Sequence, residues 1–227
     1  MIELVALDMA GTTIDEHGDV YLALRDAVVA EGASPTDELI RQWMGTDKRE
    51  AIAALVAADG GRELDHDGVE TAYERFRRML ADRYEARPPS PIAGVPEALA
   101  ELRAGGVRVA LTTGFSGDVV GPLLAGLGWG SGGELIDAVV CSDDVPAGRP
   151  APYLVFRAME RTGVRDVRRV LVAGDTLADL RSGTNAGAGA VVGVATGALS
   201  LAELGAERHT HLLPSLATLP ALVTALA

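Results

Sequence analysis

The fold is decided by residues 2–13, which read IELVALDMAGTT. Ile2 to Leu7 form a largely apolar run that predicts a buried strand, and Asp8 follows this run directly. Ligands of open α/β sheets bind beyond the carboxyl ends of the strands, so a carboxylate at that point is placed for chemistry. The segment therefore predicts a strand that ends at a functional aspartate, with a turn at Gly11.

Four further apolar runs follow along the chain, each bounded by Gly, Asp, Ser or Thr, with helical patterns between them. This alternation is typical of parallel βα units, and the near absence of polar residues indicates a sheet covered on both faces. We predict an α/β fold with a Rossmann-like parallel sheet core and an inserted all-helical cap domain. The predicted strands are Ile2–Leu7, Val107–Leu111, Ala138–Cys141, Val170–Ala173 and Ala190–Val194, and the predicted core helices are Val95–Arg103, Asp118–Gly126, Tyr153–Thr162 and Leu180–Ala186.

The cap is predicted from the length of one connection. About 90 residues separate the first two predicted strands, far more than an ordinary crossover, and they contain helical patterns but no convincing strand. We predict a cap at residues 17–88, inserted into a catalytic core of residues 1–16 and 89–227, with hinges at 15–18 and 88–91 on which it opens and closes. The predicted cap helices are Leu22–Glu31, Asp37–Trp43, Lys48–Ala58 and Val69–Tyr84.

Composition excludes several classes of partner. The formal net charge is −12, so nucleic acid and anionic membranes are not expected, because both bind clusters of Lys and Arg. No apolar run reaches the ~18 to 20 residues of a membrane span, and Met1 leads directly into a strand-like segment, so we expect a cytoplasmic protein. Cys141 is the only cysteine, which excludes an intrachain disulfide and thiolate metal clusters, and we expect it to be a buried strand residue.

Polar residues follow the carboxyl ends of several predicted strands. Asp8 ends the first strand, Thr112 and Thr113 end the second, and Asp175 and Asp179 follow the fourth. A single aspartate in such a place is usually a helix N-cap. Three of them at one edge, joined by glycine-rich turns, favour a site for a metal ion and a phosphate group.

Four strings in chain order resemble the four motifs of the haloacid dehalogenase superfamily. They are DMAGTT at residues 8–13, Thr113, Arg149 before Pro150, and GDTLAD at residues 174–179. Together they span nearly the whole chain, with the predicted cap after the first. The resemblance implies the fold predicted above and a homodimer.

The resemblance also implies a covalent route through an aspartyl-phosphate. Asp8 would be the nucleophile on phosphorus, and Mg²⁺ would be the cofactor, held by Asp8, Asp175 and the carbonyl of Ala10, with Asp179 orienting its waters. Mg²⁺, Arg149, the Thr113 hydroxyl and the backbone N–H groups after Ala10 would offset the charge repulsion between the attacking carboxylate and the substrate. The residues implied in substrate binding are Gly11, Thr12, Met44, Gly45 and Gly114.

Ala10 departs from the common pattern. Typical phosphatases of the superfamily have an aspartate there, which protonates the leaving alcohol. The phosphonatase branch resembles the present chain instead, because it has an alanine at this position, an arginine in the third motif and a cap lysine that forms a Schiff base with the substrate aldehyde. The string PAGRP at residues 146–150 is also similar to that branch.

Lys48 lies where the resemblance requires the Schiff-base lysine. Of the 20 basic residues, 19 are arginine and Lys48 is the one lysine. Arginine cannot lose its proton and cannot act as an amine nucleophile, whereas a lysine iminium accepts the electrons of a breaking C–P bond. The alternative is a surface lysine without a role. We expect Arg49 and burial to lower the pKa of Lys48 and the Asp47 side chain to point away.

Some positions differ from the phosphonatase branch. Ala51 replaces a histidine three residues after the lysine, Phe115 replaces an aromatic hydroxyl, and the segment directly after the first motif contains no cysteine. These differences affect the substrate more than the reaction class. His17 is a candidate replacement for the missing proton shuttle, although a plain loop histidine is the alternative. Two histidines near the C-terminus, His209 and His211, are expected to be solvent-exposed.

The residues thus favour cleavage of the C–P bond in a small 2-oxoalkylphosphonate, with covalent intermediates on Asp8 and Lys48. The second hypothesis is a Mg²⁺-dependent phosphatase acting on small phosphate monoesters. The third is a protein that binds a phosphorylated ligand without turning it over, since Ala10 lacks the usual acid. The sequence leaves all three open, and the substrate side chain is not specified.

Overall fold

The computed structural model describes residues 1–58, 63–130, 133 and 135–226. Six of its strands form one parallel sheet, and two short strands form a separate antiparallel pair. In chain order the strands are β1 (Leu4–Asp8), β2 (Ile14–Asp15), β3 (Ser90–Pro91), β4 (Arg108–Thr112), β5 (Ala138–Val140), β6 (Val170–Gly174), β7 (Ala190–Val194) and β8 (His211–Leu213). The sheet order is β5-β4-β1-β6-β7-β8, which is the architecture predicted for the core.

Helices surround the sheet and fill the insert. Within the described ranges, no helix has both the length and the apolar character required to cross a membrane. The helices are α1 (Asp19–Ala30), α2 (Asp37–Gln42), α3 (Lys48–Ala58), α4 (His66–Ala86), α5 (Val95–Ala104), α6 (Gly117–Leu127), α7 (Tyr153–Thr162), α8 (Leu177–Ala186), α9 (Leu201–Leu204) and α10 (Leu219–Ala225).

Strand β1 lies inside the sheet and pairs in parallel with β4 and β6. Its side chains alternate between two hydrophobic clusters, with Val5 and Leu7 in one and Leu4 and Ala6 in the other. Because both faces are covered, the strand is apolar up to its last residue. The parallel register places that residue, Asp8, opposite the last residue of β4.

The helical insert lies between the two strands of the antiparallel pair. In β2 and β3, Ile14 pairs with Pro91 and Asp15 with Ser90, so the two predicted hinge segments lie side by side. Each strand has two residues, too few to give a periodic signal in the sequence, which is why neither was predicted. Helices α1 to α4 follow β2 and pack on one another. The cap bounds at residues 17 and 88 stay a prediction.

Strand β8 was not predicted. It pairs with β7 at the edge of the sheet, begins at His211 and lies two residues after His209. Both side chains are half-buried, with Nδ1 of His209 2.8 Å from the Glu207 carbonyl and Nδ1 of His211 2.9 Å from the Thr210 hydroxyl. The expectation that they are solvent-exposed was therefore wrong.

Two predicted bounds near the site also differ. Strand β5 ends at Val140, and Cys141 is buried but begins a 3₁₀ turn at Ser142–Asp144 instead of ending the strand. Helix α8 begins at Leu177 and not at Leu180, because the Thr176 hydroxyl caps it by accepting a hydrogen bond from the Asp179 N–H. The earlier start brings Asp179 into the first turn of the helix.

Candidate active site

Three buried carboxylates meet at the carboxyl edge of the sheet. Asp8 ends β1, Asp175 follows β6, and Asp179 lies in the first turn of α8. One oxygen of each lies within 4.8 Å of an oxygen of the other two. The convergence expected from the strand ends is present in the structure.

The turn after β1 holds this cluster together. The Thr12 hydroxyl donates to Asp175 Oδ1 at 2.8 Å, and the Thr13 hydroxyl donates to the Asp8 carbonyl at 3.0 Å. Gly11 has φ +79°, and a Cβ there would lie 2.6 Å from Asp175 Oδ2. Glycine is required at this position, both for its backbone conformation and for the close approach of the two segments.

Arg149 is buried and connects the carboxylates to β4 and to the insert. Its guanidinium donates to Asp8 Oδ1 at 2.5 Å and to the carbonyl and hydroxyl oxygens of Thr112 at 2.9 and 2.7 Å. A longer hydrogen bond of 3.3 Å reaches the Gly45 carbonyl in the insert. Arg149 is therefore an interior cation of the site and not a surface ion-pair partner.

The acidic cluster has more negative charge than Arg149 neutralises. Burial, together with repulsion from neighbouring carboxylates, raises the pKa of Asp8 to about 7 and raises that of Asp175 well above its ordinary value, although Arg149 opposes the shift of Asp8. Asp179 Oδ1 is buried without a hydrogen bond and lies 2.9 Å from Arg149 Nη1 as an ion pair. Hard carboxylate oxygens, one of them unsatisfied, fit a divalent cation such as Mg²⁺.

In the absence of a divalent cation, we expect the protein to lose stability as the pH rises from about 4 to about 7. The unfolded chain ionises Asp8 near pH 3.8, whereas the folded chain keeps the proton up to about pH 7, so the unfolded state is favoured progressively between these values. Mg²⁺ at a hundredfold excess over its Kd should add about 2.7 kcal/mol at pH 8. That corresponds to a rise in Tm of about 5–10 °C, with a smaller rise at pH 5.5.

Calorimetry in EDTA and in Mg²⁺ at both pH values measures this effect. The Asp8→Asn variant should lose most of the response to Mg²⁺. The matched variant Asp143→Asn, at an exposed aspartate after β5, should keep it. A Tm that Mg²⁺ leaves unchanged at pH 8, or turnover undiminished by thorough chelation, would contradict a cation site here.

A cavity of about 470 Å³ lies above the cluster, between the sheet edge and the insert. Its wall includes nearly all the predicted substrate-binding positions. The insert contributes Met44, Gly45 and Lys48, and the core contributes Asp8, Ala10, Gly11, Thr113, Gly114, Phe115 and Asp175. Two residues of its wall that the sequence did not single out are Glu16 and Thr176.

Lys48 is buried in this cavity. Its Nζ donates to the Thr46 carbonyl at 2.9 Å and lies 5.6 Å from the centroid of the Phe115 ring. Burial lowers the pKa of Lys48 to about 8, against the opposing charges of Asp47 and Asp8. A surface lysine would keep its ordinary pKa, so this amine is distinguished by its environment.

The expectations for the neighbours of Lys48 were wrong. Arg49 does not lower its pKa, because the Arg49 guanidinium forms a bidentate pair with Glu70, at 2.6 and 3.0 Å, and lies over the Tyr73 ring. Asp47 caps α3 by accepting from the N–H groups of Arg49 and Glu50, and its negative charge still raises the pKa of Lys48. Burial alone accounts for most of the net lowering.

Close contacts at two glycines join the Lys48 loop to the core. A Cβ on Gly114 would collide with the Thr46 carbonyl, and a Cβ on Gly45 would collide with the Thr176 hydroxyl. The loop at 44–48 therefore packs directly against two core turns. These glycines are required by packing between segments distant in sequence, which explains why the motifs alone did not reveal their contacts.

The remaining predicted residues have local roles as well. The Thr113 hydroxyl accepts from the Phe115 N–H at 3.1 Å, which closes the turn after β4. His17 has a left-handed backbone, is half-buried at the cavity wall, and pairs with Asp15 at 3.2 Å. Ala51 is fully buried and brings no proton donor to the site.

A polar chain links the insert to the core beside the cavity. The Tyr73 hydroxyl of α4 forms a hydrogen bond with the Ser116 hydroxyl at the start of α6, and Ser116 donates to Asp118. Asp118 in turn pairs with Arg77 of α4 at 2.8 Å. Because Ser116 follows Phe115 directly, this contact fixes the segment that faces Lys48.

The Tyr73→Phe variant should weaken the contact between cap and core. Loss of one buried hydrogen bond costs about 1 kcal/mol, so we expect KM to rise about fivefold, with a smaller change in kcat. Steady-state kinetics measures this, and Tyr153→Phe, at an exposed tyrosine of α7, is the matched control. Unchanged KM in Tyr73→Phe would show that the contact does not contribute to closing the site.

Comparison with known proteins assigns this architecture to a protein family. A model of the haloacid dehalogenase-like hydrolase family matches residues 2–187. A phosphonoacetaldehyde hydrolase of Bacillus cereus is 33% identical over 199 residues, which cover 82% of this chain and 73% of that protein. The chain therefore belongs to the haloacid dehalogenase-like hydrolase family and is an enzyme.

Solved structures agree with this assignment. A phosphonoacetaldehyde hydrolase-like protein from Oleispira antarctica is 25% identical, with a TM-score of 0.82 over 99% of this chain and 92% of that one. A hydrolase from Pseudomonas syringae gives a TM-score of 0.85 at 21% identity, covering 98% of both chains, and shares the fold. The resemblance to the phosphonatase branch, predicted from the motifs, is confirmed.

Proposed function

We propose that this enzyme hydrolyses the C–P bond of a small 2-oxoalkylphosphonate, phosphonoacetaldehyde or a relative. The observation that carries the proposal is the position of Lys48, a buried amine of lowered pKa in the same cavity as the Asp8 carboxylate. The name of the Bacillus cereus relative supports the same substrate class. The proposal assigns a covalent role to each of the two residues.

The reaction begins at the carbonyl carbon of the substrate. With a pKa of about 8, Lys48 has an appreciable neutral fraction near pH 7.5, so its Nζ can attack the carbonyl. Loss of water gives an iminium on Nζ. The positive nitrogen is conjugated with the C–P bond and prepares the carbon to leave with the electron pair.

Asp8 then attacks phosphorus. The C–P electron pair passes into the iminium and leaves a neutral enamine on Lys48, while Asp8 becomes an aspartyl-phosphate. When bound, Mg²⁺ would be held by Asp8, Asp175 and the Ala10 carbonyl, with Asp179 orienting its waters, and would neutralise charge on the phosphoryl oxygens. Water hydrolyses the aspartyl-phosphate, and protonation and hydrolysis of the enamine release the aldehyde and regenerate Lys48.

Ala10 is consistent with a carbon leaving group. An alkoxide leaving group needs an acid beside it, and an alanine next to the nucleophile supplies none. An enamine does not need that acid in the cleavage step, because the iminium already accepts the electron pair. Phosphate monoester hydrolysis is the second candidate, favoured by one observation: Asp8, Asp175 and Arg149 meet without any contribution from Lys48.

Release of inorganic phosphate from a substrate panel tests the proposal. We expect kcat/KM for 2-oxoethylphosphonate to exceed that for ethyl phosphate and other small monoesters, and expect no turnover of ethylphosphonate, which has no carbonyl to form an iminium. Faster release from monoesters than from the oxophosphonate would favour the second candidate. No release from any member would mean that the substrate belongs to neither class.

A further inference from the structure

Glu16 is a buried carboxyl group of the cavity wall that the proposed mechanism has not used. It follows β2 directly, has a relative exposure of 7%, and lines the same cavity as Lys48 and Asp8. Its charge acts on Lys48, since it raises the pKa of that amine. Glu16 therefore lies in the wall of the cavity in which the aldehyde carbon would be bound.

The charged and titratable groups around Glu16 come from four elements, β2, α1, α3 and α4. Asp15 and Asp19 flank it in sequence, Lys48 faces it from α3, and Tyr84 faces it from α4. Burial raises the pKa of Glu16, against the hydrogen bonds from the Val20 and Gly18 N–H groups, and the two aspartates raise it more weakly. Glu16 therefore keeps its proton to a higher pH than an exposed carboxyl group does.

Glu16 also has a local structural role. Its Oε1 accepts from the Gly18 N–H at 3.1 Å and its Oε2 from the Val20 N–H at 2.7 Å, so it caps the start of α1, where Gly18 offers no side chain. These bonds fix the carboxyl group without exhausting its acceptor sites, because a carboxylate has about four lone-pair positions. The remaining lone pairs can accept a proton.

The proposed reaction needs such a group. After the C–P bond breaks, the former phosphonate carbon must take a proton. A base must then accept a proton from the water that hydrolyses the resulting iminium. Asp8 is then phosphorylated, Lys48 is bonded to the product, and Ala10 and Ala51 carry no transferable proton. Of the other acid and base groups in the described wall, the three outside the metal cluster are more exposed than Glu16: Asp15, His17 and Tyr21.

We propose that Glu16 is the proton donor and acceptor for the Lys48-bound aldehyde. The protonated Glu16 carboxyl gives its proton to the enamine carbon, so that a C–H bond forms and the nitrogen becomes an iminium again. The Glu16 carboxylate then takes a proton from the water that attacks the iminium carbon. Collapse of the resulting carbinolamine breaks the C–N bond and releases the aldehyde and Lys48. This inference rests on the proposed function.

Single-turnover kinetics separates phosphate release from aldehyde release. With 2-oxoethylphosphonate in Mg²⁺, the Glu16→Gln variant should form the aspartyl-phosphate and release phosphate at nearly the wild-type rate. Release of acetaldehyde should slow by about 10²-fold, the usual contribution of an acid–base group. In Glu16→Ala, added formate should restore aldehyde release in proportion to its concentration. Glu97→Gln, at an exposed position of α5, is the matched control and should behave as wild type.

Other outcomes would overturn the assignment. Equal slowing of both steps, with a lowered Tm and no rescue by formate, would mean that Glu16 only caps α1. Slow aldehyde release in His17→Asn, with Glu16→Gln normal, would assign the proton to His17. Borohydride trapping of the wild-type enzyme tests the Schiff base separately. If no adduct forms on Lys48, the proposed function is wrong, and the proposed role of Glu16 is wrong as well.

Discussion

The Lys48→Arg variant is expected to lose C–P bond cleavage by about 10⁴-fold or more, as when a covalent nucleophile is removed. Arginine keeps the positive charge of Lys48 but cannot offer a free electron pair to the carbonyl carbon. The assay is phosphate release from 2-oxoethylphosphonate. In the wild type, kcat/KM should rise with pH and level off above about pH 8, because Lys48 must lose its proton before it attacks.

Borohydride trapping gives a second measurement on the same variant. Wild type should form a stable adduct on the peptide containing Lys48, and Lys48→Arg should form none there. The only other amine is the N-terminus of Met1, which peptide mass mapping separates. Arg168→Lys, on a side chain that is 82% exposed, is the matched control, and its new surface amine should not be trapped. Rapid phosphate release by Lys48→Arg would instead support the monoester phosphatase.

The Asp8→Asn variant should lose turnover of oxophosphonates and phosphate monoesters alike, again by about 10⁴-fold or more. Asparagine has nearly the same shape as aspartate, but its amide does not attack phosphorus and is a poorer ligand for a divalent cation. The Lys48 adduct should persist, because the iminium forms before the phosphoryl group is attacked. Turnover is measured as phosphate release.

Asp143→Asn serves again as the matched variant and should keep full turnover. If Asp8→Asn retained activity toward either substrate class, phosphorus would be attacked by another group, such as water, and the aspartyl-phosphate route would be wrong. If it lost the Lys48 adduct as well, the two covalent steps would not be separable, and the proposed order of attack would need to be reversed.

The sheet and the acidic cluster could be predicted because their signals are local. Asp8 and Asp175 follow apolar runs that end at one edge of a parallel sheet, so their meeting is a consequence of topology. Lys48 was found by composition, as the one lysine beside 19 arginines. Composition could not show that Lys48 is buried, because its burial depends on how α3 packs against the core.

The features that sequence reasoning missed depend on contacts between distant segments. Nothing local distinguishes Glu16 from any other acidic residue at the start of a loop. The hydrogen bond from Tyr73 to Ser116 joins residues that are far apart in the chain, and the helical spacing of Tyr73 indicated only a core position. The expected effect of Arg49 on Lys48 was wrong because Glu70, one helix away, neutralises it.

The contacts of Gly45 and Gly114 also affect the time for which products stay bound. The Thr46 carbonyl takes the space that a side chain at position 114 would need, and the Thr176 hydroxyl does the same at position 45, so neither glycine has a rotamer to order. Side chains that must be immobilised at every closure cost up to about 2 kcal/mol each in entropy. In the opening and closing predicted from the hinge segments, contacts made by glycine carry little such cost, which would favour rapid exchange of small products with solvent.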